Sequence, residues 1–168
     1  MFAGTILIGA AITLTVQGED AVSAAEWSRA RAVATRILNR AGLDVTWDRN
    51  RACAAPAVCV HLSRTRPSNL HADAAGYAVL SPAASYASVF LPGVERTAAG
   101  LEVDPATVLG ATIAHEIGHL LLGAAHSRGV MSARFDSQQM RAAERGELLF
   151  RDEEARRMRR EVLSHASY

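Results

Sequence analysis

At 168 residues the chain is long enough for one domain with a sizeable core. Its formal charge of +1 argues against nucleic acid or a strongly acidic body as partner. All 18 basic residues are Arg, which reads as a bias of composition, and no repeat, heptad pattern or low-complexity run stands out.

Phe2–Ala11 is apolar, with no basic residue before it, and is too short to span a membrane. It reads as a shortened leader or as the approach to the first strand. Ile12–Gln17 alternates apolar and polar, which predicts a strand, and Gly18-Glu19-Asp20 a turn. Ser23–Arg40 predicts an amphipathic helix. Trp27, Ala30, Val33, Ala34, Ile37 and Leu38 fall on its inner face, and Gly42 ends it. Leu43–Trp47 is the second strand. Cys53 and Cys59 close a short loop, which fits a disulfide in an exported protein; the alternative is two free thiols in the cytoplasm. Val58–Leu62 is the third strand, and Arg64–Ala75 is a loop rich in turn residues. Gly76–Leu80 and Ala87–Leu91 are two further short strands. His61 sits on the alternating third strand and His71 in the loop, each isolated from the other histidines in sequence.

A helix over about 105–122 follows. Asp104 suits its N-cap and Pro105 its first position. Val108, Leu109, Ala111, Ile113, Ala114, Ile117 and Leu120 make it apolar nearly all round, so it is expected to be buried. It carries His115-Glu116-Ile117-Gly118-His119. Two His four residues apart share one helical face, where a single Zn²⁺ can take both imidazoles. Glu116, beside the first ligand, can reach a water at the metal without ligating it. Gly123 lets the chain turn sharply and bring His126 back as a third ligand. Three protein ligands and an open position are the pattern of a catalytic zinc. The competing third ligand is a later carboxylate: Glu144, Glu147, Glu153 or Glu154. Two short helices, near 136–145 and 152–163, close the chain, the second with acidic residues in its first turn and Arg later.

The motif resembles that of the metzincin metalloproteases, H-E-x-x-H-x-x-G-x-x-H followed by a Met-containing turn. His115, Glu116, His119, Gly123, His126 and Met131 match its elements in order. One residue is extra: Leu120, Leu121 and Leu122 separate His119 from Gly123 where the family has two. A regular helix would rotate its exit by about 100° for that residue. A local widening or an earlier helix end would absorb it. The family's Pro or Tyr near the turn is replaced by Ser132-Ala133-Arg134-Phe135, so no oxyanion-stabilising Tyr carries over.

The resemblance, in its matrixin-like form, implies an α+β fold in a single domain over 1–168. A twisted mixed sheet of about five strands, a backing helix and the zinc helix would fill 12–122, after a possible leader remnant at 1–11. The third-ligand loop, Met-turn and C-terminal helices would fill 123–168. It makes Met131 the residue beneath the metal. It makes Gly76, Tyr77, Ala78, Val79 and Leu80 the edge strand that binds substrate backbone. The expected activity is zinc-dependent endopeptidase, with one Zn²⁺ and Glu116 as general base. The alternatives are a zinc-containing binding or structural domain without activity, and a zinc amide hydrolase for a non-peptide substrate. The expected partner is a peptide or protein, with no stable membrane insertion and a monomeric chain. The expected location is secreted or in a bacterial cell envelope, with the cytoplasm as alternative.

Overall fold

The alternation at the start of the chain becomes a central strand. A computed structural model describes residues 10–49, 53, 58–71, 74–80 and 85–165. The strands β1 (Ala10–Gln17), β2 (Leu43–Asp48), β3 (Val58–Ser63), β4 (Gly76–Leu80) and β5 (Ser85–Phe90) form one sheet in the order β2-β1-β3-β5-β4. β2, β1, β3 and β5 run parallel; β4 pairs antiparallel with β5 and forms an edge. The helices are α1 (Ala24–Arg40), α2 (Leu91–Leu101), α3 (Pro105–Leu122), α4 (Ser137–Arg145) and α5 (Asp152–His165). The described residues thus make an α+β domain with a five-stranded mixed sheet and five helices.

One face of the sheet presents Ile12, Leu14, Val16, Val60, Leu62 and Val89, all buried. α1 lies in the same core, and its buried residues are the six that the period of 3.6 selects. Ser23 caps it, accepting a hydrogen bond from the Glu26 N–H at 3.1 Å. α3 packs against α1, α2, α5, β4 and β5, which is why its apolar surface runs all round. Where it meets α1, a Cβ on Gly110 would stand 2.7 Å from Val33 Cβ, so the two helices approach closely because Gly110 has no side chain.

Most element boundaries shift by one to two residues from the expectation, and those of β1 and β5 bear on the fold. β1 begins at Ala10 rather than 12, taking two residues from the apolar run; residues 1–9 lie outside the described residues. β5 begins at Ser85 and ends at Phe90, so Leu91 belongs to the next element. That element, α2, is missing from the sequence reading because Pro92, Gly93 and Gly100 look like breakers. Pro92 stands in the first turn, where a missing N–H costs nothing. Leu91, Val94 and Ala98 then bury one face at helical spacing.

Cys53 and Cys59 form a disulfide, with Cα atoms 5.5 Å apart, at the start of β3; the intervening 54–57 lie outside the described residues. No helix among the described residues is long and apolar enough to cross a membrane.

Candidate metal centre

α3 starts where its signals put it. The Asp104 side chain accepts from the Ala106 N–H at 3.0 Å, and Arg29 Nε sits 2.9 Å from the same carboxylate. From there the helix is regular, so His115 and His119 emerge one turn apart on one face. Their rings meet edge to face, with centroids 4.5 Å apart.

A backbone carbonyl holds each ring. His115 Nδ1 lies 2.7 Å from the Val130 oxygen, and His119 Nδ1 lies 2.9 Å from the Gly123 oxygen. A carbonyl only accepts, so each Nδ1 carries a proton, and in the neutral form that metal ligation needs each ring presents a bare Nε2. Those two Nε2 atoms stand 3.0 Å apart. Two lone pairs at that distance repel unless a cation lies between them. Tetrahedral zinc, with nitrogens at about 2.0–2.1 Å, separates its ligands by about 3.3 Å, close to what is seen.

His126 completes the group. Its ring centroid is 4.9 Å from that of His119 and 5.4 Å from that of His115. Ligand-capable nitrogens of the three residues all lie within 4.8 Å of one another, the only such cluster among the described residues. The extra residue in the motif is absorbed neither by a widened turn nor by an early helix end. α3 stays α-helical to Leu122, and the Gly123 N–H still bonds the His119 carbonyl at 2.9 Å. The chain reverses at Gly123 itself, where φ 92° and ψ −172° suit only glycine.

The loop that carries His126 is tied down beyond it. The Ser127 N–H donates to the Met131 carbonyl at 2.9 Å, and the Ser127 hydroxyl donates to Glu154 Oε1. Glu154 Oε2 accepts from the Arg151 N–H at 2.9 Å. Glu154, considered as a ligand, thus braces the third histidine's loop instead. Glu147 pairs with Arg145 at 2.7 Å and Glu153 faces Arg151 at 4.0 Å. Neither of these, nor the exposed Glu144, joins the histidines.

Val130 and Met131 end a short 3-10 turn, Gly129–Met131, and are fully buried. A Cβ on Gly118 would run into Met131 Sδ and come within 2.9 Å of Phe150 Cε1. The glycine inside the H-E-x-x-H string is therefore what lets this turn close beneath α3. Phe135, a little further on, stands edge-on to His115 at 5.8 Å.

Glu116 is only 4 % exposed, and its Oε2 has no hydrogen-bond partner among the described residues. Burial pushes its carboxyl up to about 8. Burial also lowers His115 to about 4, against the pull of the Val130 carbonyl and with the help of His119 and His126. His126 is lowered too, by burial first and then by His119. Gly76 of β4 lies directly over the carboxylate. A Cβ there would stand 2.5 Å from Glu116 Oε1 and 2.8 Å from the Ser88 carbonyl oxygen.

A cleft of about 660 Å³ opens above these groups. His115, Glu116, His119 and His126 line it, with Gly76, Tyr77 and Ala78 on one side and Ser132–Phe135 on another. Of the strand expected to hold substrate, Gly76, Tyr77 and Ala78 line it and Val79 does not. The sequence reading missed Val108, Thr112 and Phe135, although Thr112 lies three residues before His115 and so on its face. It also missed the Val130 carbonyl, for which a backbone atom leaves no signal.

Compared with known proteins, the chain matches no family model and no curated protein sequence.

Proposed function

We propose that this protein is a zinc-dependent endopeptidase of metzincin type. The observation that carries the reading is a buried carboxylate without a partner among the described residues, adjacent to three convergent imidazoles. A structural zinc has no use for such a group, and its burial has a cost that a catalytic role explains. The donor set suits the ion: three neutral nitrogens, two held by carbonyls through Nδ1, with room for a fourth position in the cleft.

His115, His119 and His126 would hold the metal. Zinc supplies a Lewis acid that polarises a carbonyl and makes water more acidic. Glu116 takes a proton from the attacking water on one carboxylate oxygen and returns it to the departing amine nitrogen. The edge of β4 away from β5, which pairs with no strand among the described residues, offers N–H and C=O groups to an extended backbone, which favours a peptide over a compact amide. Gly76 lets that edge lie directly over Glu116, so a bound peptide bond would rest beside the proton carrier.

The test is a diverse peptide library incubated with zinc-loaded protein and with its Glu116→Ala variant. Cleavage by the first alone, stopped by a chelator and with zinc measured in both, is the expected result. Zinc-loaded protein that cleaves nothing would return the site to a binding role, and loss of zinc from Glu116→Ala would remove Glu116 from its assigned part.

A further inference from the structure

The cleft wall formed by Ser132–Phe135 is gripped by a side chain that does not itself line the cleft: Gln139, in the first turn of α4. Its Oε1 accepts from the Asp136 N–H at 3.0 Å. Its Nε2 donates to the Gly129 carbonyl at 3.2 Å and to Ser132 Oγ at 2.6 Å. A backbone N–H only donates and a carbonyl only accepts, so these partners fix which end of the amide is oxygen and which is nitrogen. The Gln139 N–H donates in turn to Asp136 Oδ1 at 2.8 Å, the other half of a capping box. One half-buried amide thus holds the chain before the wall, at the wall's first residue and just after its last.

The segments on either side have core anchors of their own. α4 buries Met140 and Ala143. The 3-10 turn buries Val130 and Met131 fully, and the Val130 N–H donates to the Leu149 carbonyl at 3.1 Å. In the wall between them no residue is fully buried: Ser132 and Phe135 are half-buried, and Ala133 and Arg134 are exposed. Yet this wall abuts the metal ligands, since Phe135 stands edge-on to His115. Resting on the peptidase reading, we infer that Gln139 is a positioning residue. By holding the wall it fixes the width of the cleft, and with it the size of the substrate side chain accepted beside the scissile bond.

Gln139→Glu separates the two tasks of this side chain. A carboxylate there still accepts from the Asp136 N–H, as Glu does in a capping box, so α4 keeps its start. It has no N–H for the Gly129 carbonyl, and two acceptors face to face repel, so the wall loses its hold.

Two readouts test this on zinc-loaded protein, with peptides carrying Ala, Leu, Phe or Trp at each position flanking the cut. At one position the wild-type kcat/KM is expected to span about 100-fold across the four side chains, as fit to a pocket commonly gives. In Gln139→Glu the span should shrink to about tenfold or less, with the change in KM rather than kcat. Zinc affinity in a chelator competition and the denaturation midpoint should stay unchanged. A span that Gln139→Glu leaves intact, or a narrowing that comes with weaker zinc or a lower midpoint, overturns the inference and leaves the peptidase reading standing. The second readout is fluorescence anisotropy of the same peptides on Glu116→Gln protein, with and without Gln139→Glu, which needs no turnover. A size preference in binding that Gln139→Glu narrows, when the wild type cleaves nothing, keeps the inference and removes the peptidase. No size preference in binding or cleavage removes the inference outright.

Discussion

Glu116 sits where its own charge is disfavoured, and that has a measurable consequence in metal-free protein. Its carboxyl is raised to about 8 in the fold, against an ordinary value of 4.5. The stability it contributes is therefore complete below pH 4.5 and is lost as pH rises through about 8. His115 works the other way. Lowered to about 4 from 6.5, it contributes stability above pH 6.5 that is lost as pH falls through about 4. Exchanging Glu116 for Gln removes the first dependence and keeps the second. In urea titrations without metal, the Glu116→Gln protein is expected to gain on the wild type steadily between pH 5 and pH 8.5. A difference that stays constant over that range would mean the carboxyl is solvated. Gly76 allows a second residue-scale test. A methyl group there has no space between Glu116 Oε1 and the Ser88 carbonyl oxygen. Gly76→Ala should cost about 1–3 kcal/mol of stability, as overpacking does, and reduce peptide cleavage by displacing β4 or the carboxylate. Unchanged cleavage and an unchanged denaturation midpoint would show that β4 moves aside freely.

Among the elements, α5 has the least obvious part in the site. It contributes no ligand, yet Glu154 on its first turn holds the Ser127 hydroxyl and so the loop that brings His126 to its partners. Outer partners of metal ligands are commonly worth a factor of about 10–100 in affinity. Glu154→Ala is therefore expected to weaken zinc about tenfold in a chelator competition, with little change in helix content by circular dichroism. Equal affinity would show that Gly123 and the 3-10 turn position His126 unaided. This brace also shows what a sequence can carry. The pair His115 and His119 is legible because ligation at four-residue spacing is a local property of a helix. Asp104 and Pro105 are legible because capping is local too, and the inner face of α1 follows from its period alone. Glu154 is visible only as one carboxylate among several, since its partner lies 27 residues away and is chosen by packing. The contact of Gly76 with Glu116 is non-local in the same way. α2 stayed hidden for another reason: the Pro and Gly that usually end a helix here sit at its first turn and at a close packing contact.

At the scale of the whole molecule, the three histidines join parts that the chain keeps separate. His115 and His119 belong to α3, which touches both sheet and helices, while His126 belongs to a loop secured to α5. An ion bound by all three would bind the folded state and have no comparable site in the unfolded chain. Its affinity then becomes folding free energy. At a free zinc concentration of 100 times Kd this amounts to ~2.7 kcal/mol. For a domain of this size each kcal/mol moves Tm by about 2–4 °C, so zinc should raise Tm by about 5–10 °C over chelator-treated protein. The rise should be smaller in His126→Ala, which keeps two ligands, and should vanish in the His115→Ala, His119→Ala double variant. If that double variant still gained the full shift, the ion would be stabilising the fold from elsewhere. If His126→Ala gained as much as the wild type, the loop would take no part in ligation. Either result would break the link between the histidine geometry and the stability of the molecule, and with it the argument that these residues converge in order to hold a metal.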